Sequence, residues 1–284
     1  MPSTVIFKVI FCLESLVAML QNGFLTIVLV REWVSSTPTV ADRIVACLAL
    51  SRFFLHGAAM LSNLLAFSGF CYQANLVGAL WDFINTFLLW LTAWLALFYC
   101  VKISSFSHPI FLRLKWRISR LVPRLVLGSL ILSSVSAIQT VAGNVVVAQL
   151  SGGNCTTFKS LDFWYYYLTH GVFMWLLPFL LFLLSALLLV FSLYRHVGHM
   201  RGHRSGRGNP SLQVHRAALK TLAFFLLFNT LYFLALISFS MGKISVQSHW
   251  YWAKEVIIYA GISLHSLILV VSSPKLRKAL KLKC

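Results

Sequence analysis

Long apolar segments recur along this chain, and short polar stretches separate them. Seven segments stand out, at about residues 5–30, 42–66, 78–103, 121–148, 165–194, 217–240 and 251–272. A helix needs about 20 apolar residues to cross the hydrocarbon core of a bilayer. Each segment meets that length, so the pattern predicts an all-α membrane protein built as a seven-transmembrane helix bundle. One domain spans residues 1–284 and ends in a short basic tail at 273–284. The opening stretch "MPSTVIFKVIFCLES" has no basic leader and no small-residue cleavage site, so it reads as the start of the first span. No internal repeat and no interrupted helix is visible, which argues against a transporter or channel, the alternative class for such a bundle.

Composition agrees with the pattern. Hydrophobic residues make up 59% of the chain and charged residues 11%, with mean hydropathy +0.83. Soluble domains carry about 25% charged residues. The net charge of +18 invites a nucleic-acid reading until the positions of the bases are considered. They gather in alternate connectors: Arg31 and Arg43; Lys102, Arg113, Lys115, Arg117 and Arg120; Arg195, Arg201, Arg204, Arg207, Arg216 and Lys220; and the tail with Lys275, Arg277, Lys278, Lys281 and Lys283. Cytoplasmic connectors hold the excess of Lys and Arg. The N-terminus is therefore expected outside and the C-terminus in the cytoplasm. Topology and attraction to anionic membrane lipids account for the charge, and no nucleic-acid partner is implied. The sequon at Asn154, Cys155 and Thr156 falls in a connector assigned to the outside, where a glycan can be attached.

Catalytic and metal chemistry find little support. The six cysteines are scattered and form no CxxC pair. His196, His199 and His203 share a helical face, but no Cys or carboxylate completes a metal site, and a solvated basic helix end explains them. No nucleophile and base pair stands at catalytic spacing, so neither an enzyme nor a cofactor is expected. Cys71 and Cys155 both fall outside, and their pairing is left open. Cys284 lies near the inner surface, within reach of palmitoylation, without forming a prenylation box.

One polar feature demands an account. Arg52 lies about 15 Å into the second span at 1.5 Å per residue, near mid-membrane. An ionisable group at that depth faces a partner or a water-filled cavity. The first span offers Asn22 and Glu14, the second His56, and the seventh His265 and Ser266. These residues can converge on one cluster, which either fastens helices together or rearranges when the bundle changes state.

Several stretches together resemble the bitter taste receptors (taste receptor type 2), seven-helix G-protein-coupled receptors. They are "QNGF" at 21–24, "LALSRFFL" at 48–55, "LWLTAWLALFYCVKI" at 89–103, "HPIFLRLKWRI" at 108–118, "LVFSLYRHVGHM" at 189–200 and "HSLILVVSSPKLRKAL" at 265–280. The likeness runs the length of the chain. Departures occur at Ser273, where the family often has Asn, and at Phe228, where it has Tyr. The resemblance implies a plasma-membrane receptor for bitter small molecules that activates a gustducin-type heterotrimeric G protein. It places Asn22, Arg52 and Ser266 in a switching network.

A ligand pocket is expected to be apolar and aromatic with a few orienting polar groups. The outer half of the third span supplies Asp82, Asn85, Thr86, Trp90 and Trp94, and the two tryptophans share a face. The resemblance adds Asn63, Tyr232 and Glu255 to Trp90 as expected ligand contacts, with His170 and Trp175 as weaker candidates. Lys102, Arg113, Lys115, Arg195 and Lys220, on basic connectors, are the expected G-protein contacts.

Overall fold

The computed structural model of the chain describes residues 2–35, 38–104, 109–150, 171–203, 210–241 and 248–272. Asn154, Cys155, His170, Ser273, Cys284 and the rest of the 273–284 tail lie outside these. Among the described residues, seven helices form the bundle: α1 (Pro2–Ser35), α2 (Val40–Phe67), α3 (Cys71–Ile103), α4 (Pro109–Leu150), α5, α6 (Pro210–Met241) and α7 (His249–Ser272). The fifth, α5, opens as a π-helical turn (Val172–Leu176) and continues as α-helix (Leu177–His203). No strand occurs among the described residues. Six of the helices are long and apolar enough to cross a membrane by length and composition.

Local chemistry sets the helix ends. Thr39 caps α2: its hydroxyl accepts from the Asp42 amide at 3.2 Å, and the Asp42 carboxylate accepts in return from the Thr39 amide. This reciprocal box satisfies donors that the first turn leaves unpaired. At the other end, the Gly69 amide donates to Ala66 and the Phe70 amide to Leu65. These two bonds define a Schellman stop, which requires a left-handed residue after the cap. Gly69 has φ of 84°. A side chain there costs about 1–2 kcal/mol, so Gly69→Ala is expected to lower the thermal midpoint of the purified protein by a few degrees. A thermal-shift measurement in detergent checks this.

The π turn of α5 has an equally local cause. Pro178 has no amide hydrogen, and its ring clashes with the carbonyl four residues earlier. Widening the preceding turn relieves that clash. The widened turn carries Trp175, which is buried.

α3 is the central helix and packs against α2, α4 and α5. α1 packs on α2 and α7, and α6 joins α5 to α7. Aromatic rings fill the α5–α6 seam: Phe179 stacks on Phe233 with centroids 3.9 Å apart, and Phe182 meets Phe225 edge-on at 5.2 Å. At the α6–α7 seam, Phe228 lies so close to Gly261 that an added Cβ would fall 3.2 Å from its ring. The ring of the departing Phe228 thus rests against a residue with no side chain.

Candidate functional site

Two polar layers stand one above the other between α2 and α7. Each helix contributes a single face. On α2 it is Arg52, His56, Ala59 and Asn63; on α7 it is Ser266, Ile262, Tyr259 and Glu255. Both sets follow the spacing i, i+4, i+7, i+11, which keeps residues on one side of a helix. The helices run in opposite directions, so Arg52 meets Ser266 at one level and Asn63 meets Glu255 at the other. The two levels are separated by 11 residues, about 16 Å of helix.

In the first layer, Arg52 donates to the Ser266 hydroxyl at 2.9 Å and to Nδ1 of His265. Arginine has only donors, so His265 Nδ1 is the acceptor nitrogen and the ring proton sits on Nε2. Ser266 donates onward to Oδ1 of Asn22 at 2.9 Å, and Asn22 is tied to the Ala18 carbonyl at 2.8 Å. The His265 ring lies against Phe225 of α6, centroids 4.1 Å apart. Four helices are therefore linked through Arg52 and the two residues it bonds. No carboxylate pairs with Arg52 among the described residues, so neutral groups hold it. Glu14, on α1, makes no bond to the cluster, and its Oε1 is buried without a partner among the described residues. His56, one turn from Arg52, is fully buried, and neither ring nitrogen has a partner among the described residues. Its ring lies 5.1 Å from that of Tyr259.

The second layer lines a cavity of about 290 Å³. Asn63 accepts from the Tyr251 hydroxyl at 2.5 Å and donates to Glu255 at 3.3 Å. Lys254 stands 3.8 Å from the same carboxylate. Across the cavity, Asp82 of α3 accepts from Ser136 at 2.6 Å and Thr140 at 2.9 Å, both on α4. The Trp81 indole donates to the Tyr259 hydroxyl at 2.6 Å, closing one wall. Trp175, brought in by the π turn, also lines the space, as do Ala59, Leu236 and Ile258.

The expected ligand residues fall in different places. Asn63 and Glu255 line the cavity, and Asp82 and Trp175 line it with them. Asn85 and Tyr232 are bonded to each other at 2.5 Å, one turn further along α3 from Asp82. Trp90, about two turns beyond Asp82, stacks on Trp94 at 5.3 Å, and neither lines this cavity. Trp94 instead donates to Ser129 of α4 at 2.8 Å, whereas the Trp90 indole nitrogen has no partner among the described residues. Thr86 meets Ser136 of α4 at 3.2 Å. Sequence reasoning did not single out Tyr251, Tyr259, Trp81, Thr140 or Asn144. The α7 face from Glu255 to Ser266 was the available signal for Tyr259.

At the opposite end of the bundle, Lys102, Arg113, Lys115, Arg195 and Lys220 are all exposed. Lys102 reaches the Lys115 carbonyl at 3.3 Å and ties α3 to α4. No group of three or more His, Cys, Asp or Glu able to hold a metal occurs among the described residues.

Comparison with known proteins bears on what such a bundle does. Residues 1–283 match the family model described as "Taste receptor protein (TAS2R)". Taste receptor type 2 member 143 from Rattus norvegicus is 59% identical over the whole of both chains, and its Mus musculus counterpart is 58% identical over the same extent. Taste receptor type 2 member 134 from Rattus norvegicus is 54% identical, covering 98% of this chain and 86% of its own. The chain belongs to the taste receptor family. It is a multi-pass membrane receptor of the G-protein-coupled class, with small-molecule ligands and G-protein coupling as the family's general mode, and it is not an enzyme. Family membership decides between receptor and transporter in favour of receptor.

Proposed function

We propose that this taste receptor binds bitter small molecules in the cavity between α2, α3, α4 and α7, and that occupancy repacks the Arg52 layer to activate a gustducin-type heterotrimeric G protein. The observation that carries this reading is the charge of the cavity. The whole chain has 24 Lys and Arg against 6 Asp and Glu. Two of those six acids, Asp82 and Glu255, line the cavity, and none of the bases among the described residues does. Apolar walls with a few orienting polar groups suit small-molecule capture. The two acids make donors and cations the favoured ligand groups, and attraction strengthens where water is partly excluded.

The α2 and α7 faces supply the coupling. Asn63 and Glu255 share helices with Arg52 and Ser266, so a ligand that shifts one layer moves the other. Such a shift requires different contacts in the two states. Asn22, Arg52 and Ser266 form the switch, and Asn85 with Tyr232 joins α3 to α6 between the layers. Trp90 and Trp94 lie below the cavity floor and shape it through α3. Lys102, Arg113, Lys115, Arg195 and Lys220 face the cytoplasm, in keeping with the positive-inside distribution, and receive the G protein. The N-terminus lies outside, the 273–284 tail inside, and Asn154 carries the glycan.

The test is a calcium assay in cells expressing the full chain and a gustducin-type α subunit, screened against a panel of bitter compounds. At least one cationic or hydroxylated agonist is expected, with its response abolished when the α subunit is left out. Silence across the panel at normal surface level overturns the reading.

A further inference from the structure

The cytoplasmic end of α4 carries an arrangement that topology alone does not require. Arg113, Arg117, Arg120 and Arg124 follow the spacing i, i+4, i+7, i+11 and fall within roughly 60° of arc at 100° per residue. All four are exposed, and Trp116, one of their neighbours on that face, is 87% exposed. The opposite face of α4 is the packed one: Phe111, Leu114, Ile118, Val122 and Val126 lie against α3. The arginines therefore point away from the bundle. None of them has a hydrogen bond or ion pair among the described residues, and α4 contains no carboxylate at all. The one lysine of α4, Lys115, lies on the other side of the helix and is linked to α3.

We infer that this outward face of α4 binds the headgroup of an inner-leaflet lipid bearing phosphomonoesters, such as a polyphosphorylated phosphatidylinositol. The positive-inside rule counts charges near the membrane and says nothing of their azimuth. Guanidinium groups form paired bonds to phosphate oxygens, which ammonium groups do not. A phosphomonoester carries about −1.5 to −2 charges at neutral pH, so four guanidinium groups along about 16 Å of helix match more than one such group. The same helix face continues past the arginines as Leu127, Ile131 and Ile138, each more than half exposed. A headgroup among the arginines thus leaves its acyl chains beside an aliphatic strip. That continuity favours a lipid over a soluble phosphate. Trp116 sits at the boundary, where indoles favour the headgroup level.

The test uses the full receptor in phosphatidylcholine nanodiscs, with lipid occupancy read by native mass spectrometry. Phosphatidylinositol bisphosphate is compared with phosphatidylserine at matched total charge, and with soluble inositol trisphosphate. The bisphosphate lipid is expected to bind at least fivefold better than either. Arg117→Gln with Arg120→Gln should weaken it at least fivefold. The same pair changed to Lys keeps the charge and should recover less than half of that loss. Arg43→Gln, a basic residue at the same end but off this face, should leave occupancy unchanged. Because these side chains point outward with no partner among the described residues, the variants should elute as the parent does. Equal binding of phosphatidylserine, saturation by inositol trisphosphate alone, or parental affinity in the Gln pair overturns the inference. So does a Gln pair that loses G-protein coupling while keeping its lipid, which would assign the stripe to a protein partner.

Discussion

Arg52→Ala is expected to abolish agonist-stimulated signalling, or to cut it at least tenfold per receptor at the surface, and to lower the surface level as well. Among the described residues, the guanidinium is the only donor that joins α2 to both Ser266 and His265. Its removal leaves two buried acceptors unsatisfied, each costing about 1–3 kcal/mol. Relief from burying a charge offsets part of that cost, because Arg52 has no carboxylate partner among the described residues. The effect on folding is thus partial, while the effect on switching is not. A receptor without Arg52 keeps the α2–α7 bonds of Asn63 with Glu255 and Tyr251 but loses those by which α7 registers a shift of α2 at the Ser266 level. Arg52→Lys separates the contributions: it keeps the charge but lacks a planar fork to serve Ser266 and His265 at once. Its surface level should approach the parent's while its signalling stays several-fold lower. Surface labelling alongside a calcium readout decides. If the Ala variant reaches the surface poorly but its survivors signal at full strength per receptor, the layer merely fastens helices. If surface level and response both match the parent's, the layer has neither role.

Much of this layer was legible in the chain. A guanidinium near mid-membrane must be enclosed, and the candidates at matching depth were few: Asn22, His56, His265 and Ser266 all arrive near it. Glu14 shows where depth ceases to be enough. It lies at the level of His56 but makes no bond to the cluster, and depth along one helix does not fix which azimuth faces a neighbour. The cavity was less legible for a related reason. Glu255 and Asn63 could be named from likeness to a family, but their partner Tyr251 depends on the rotation of α7 against α2. Thr140 depends on how α4 lies against α3, which long-range packing determines and local pattern does not reveal. Trp94 illustrates the converse. Sharing a face with Trp90 was correctly read from their spacing, yet that face turns partly toward α4, where the Ser129 hydroxyl accepts a hydrogen bond from the Trp94 indole. The π turn that carries Trp175 was half visible, because Pro178 announces a disturbed helix without saying how it is accommodated.

Glu255→Gln is expected to reduce the potency of cationic agonists about tenfold or more and to leave uncharged agonists within about twofold. Tenfold corresponds to about 1.4 kcal/mol, within reach of one charge-assisted contact. The substitution is a clean probe because glutamine keeps an oxygen to accept from Asn63 at the same place. What changes is the charge. Lys254 sharpens the experiment. Its ammonium already competes for Glu255 at 3.8 Å, so Lys254→Gln should raise the potency of the same cations several-fold. Opposite shifts from adjacent residues are hard to produce by general destabilisation. Trp90→Ala tests a different point, for Trp90 lies two turns of α3 beyond Asp82 and does not line the cavity. It should affect cationic and neutral agonists alike. Dose–response curves for matched cationic and neutral compounds, normalised to surface expression, distinguish these patterns. Equal loss for both classes in Glu255→Gln would mean that the carboxylate holds Asn63 and Tyr251 in place and no ligand charge meets it.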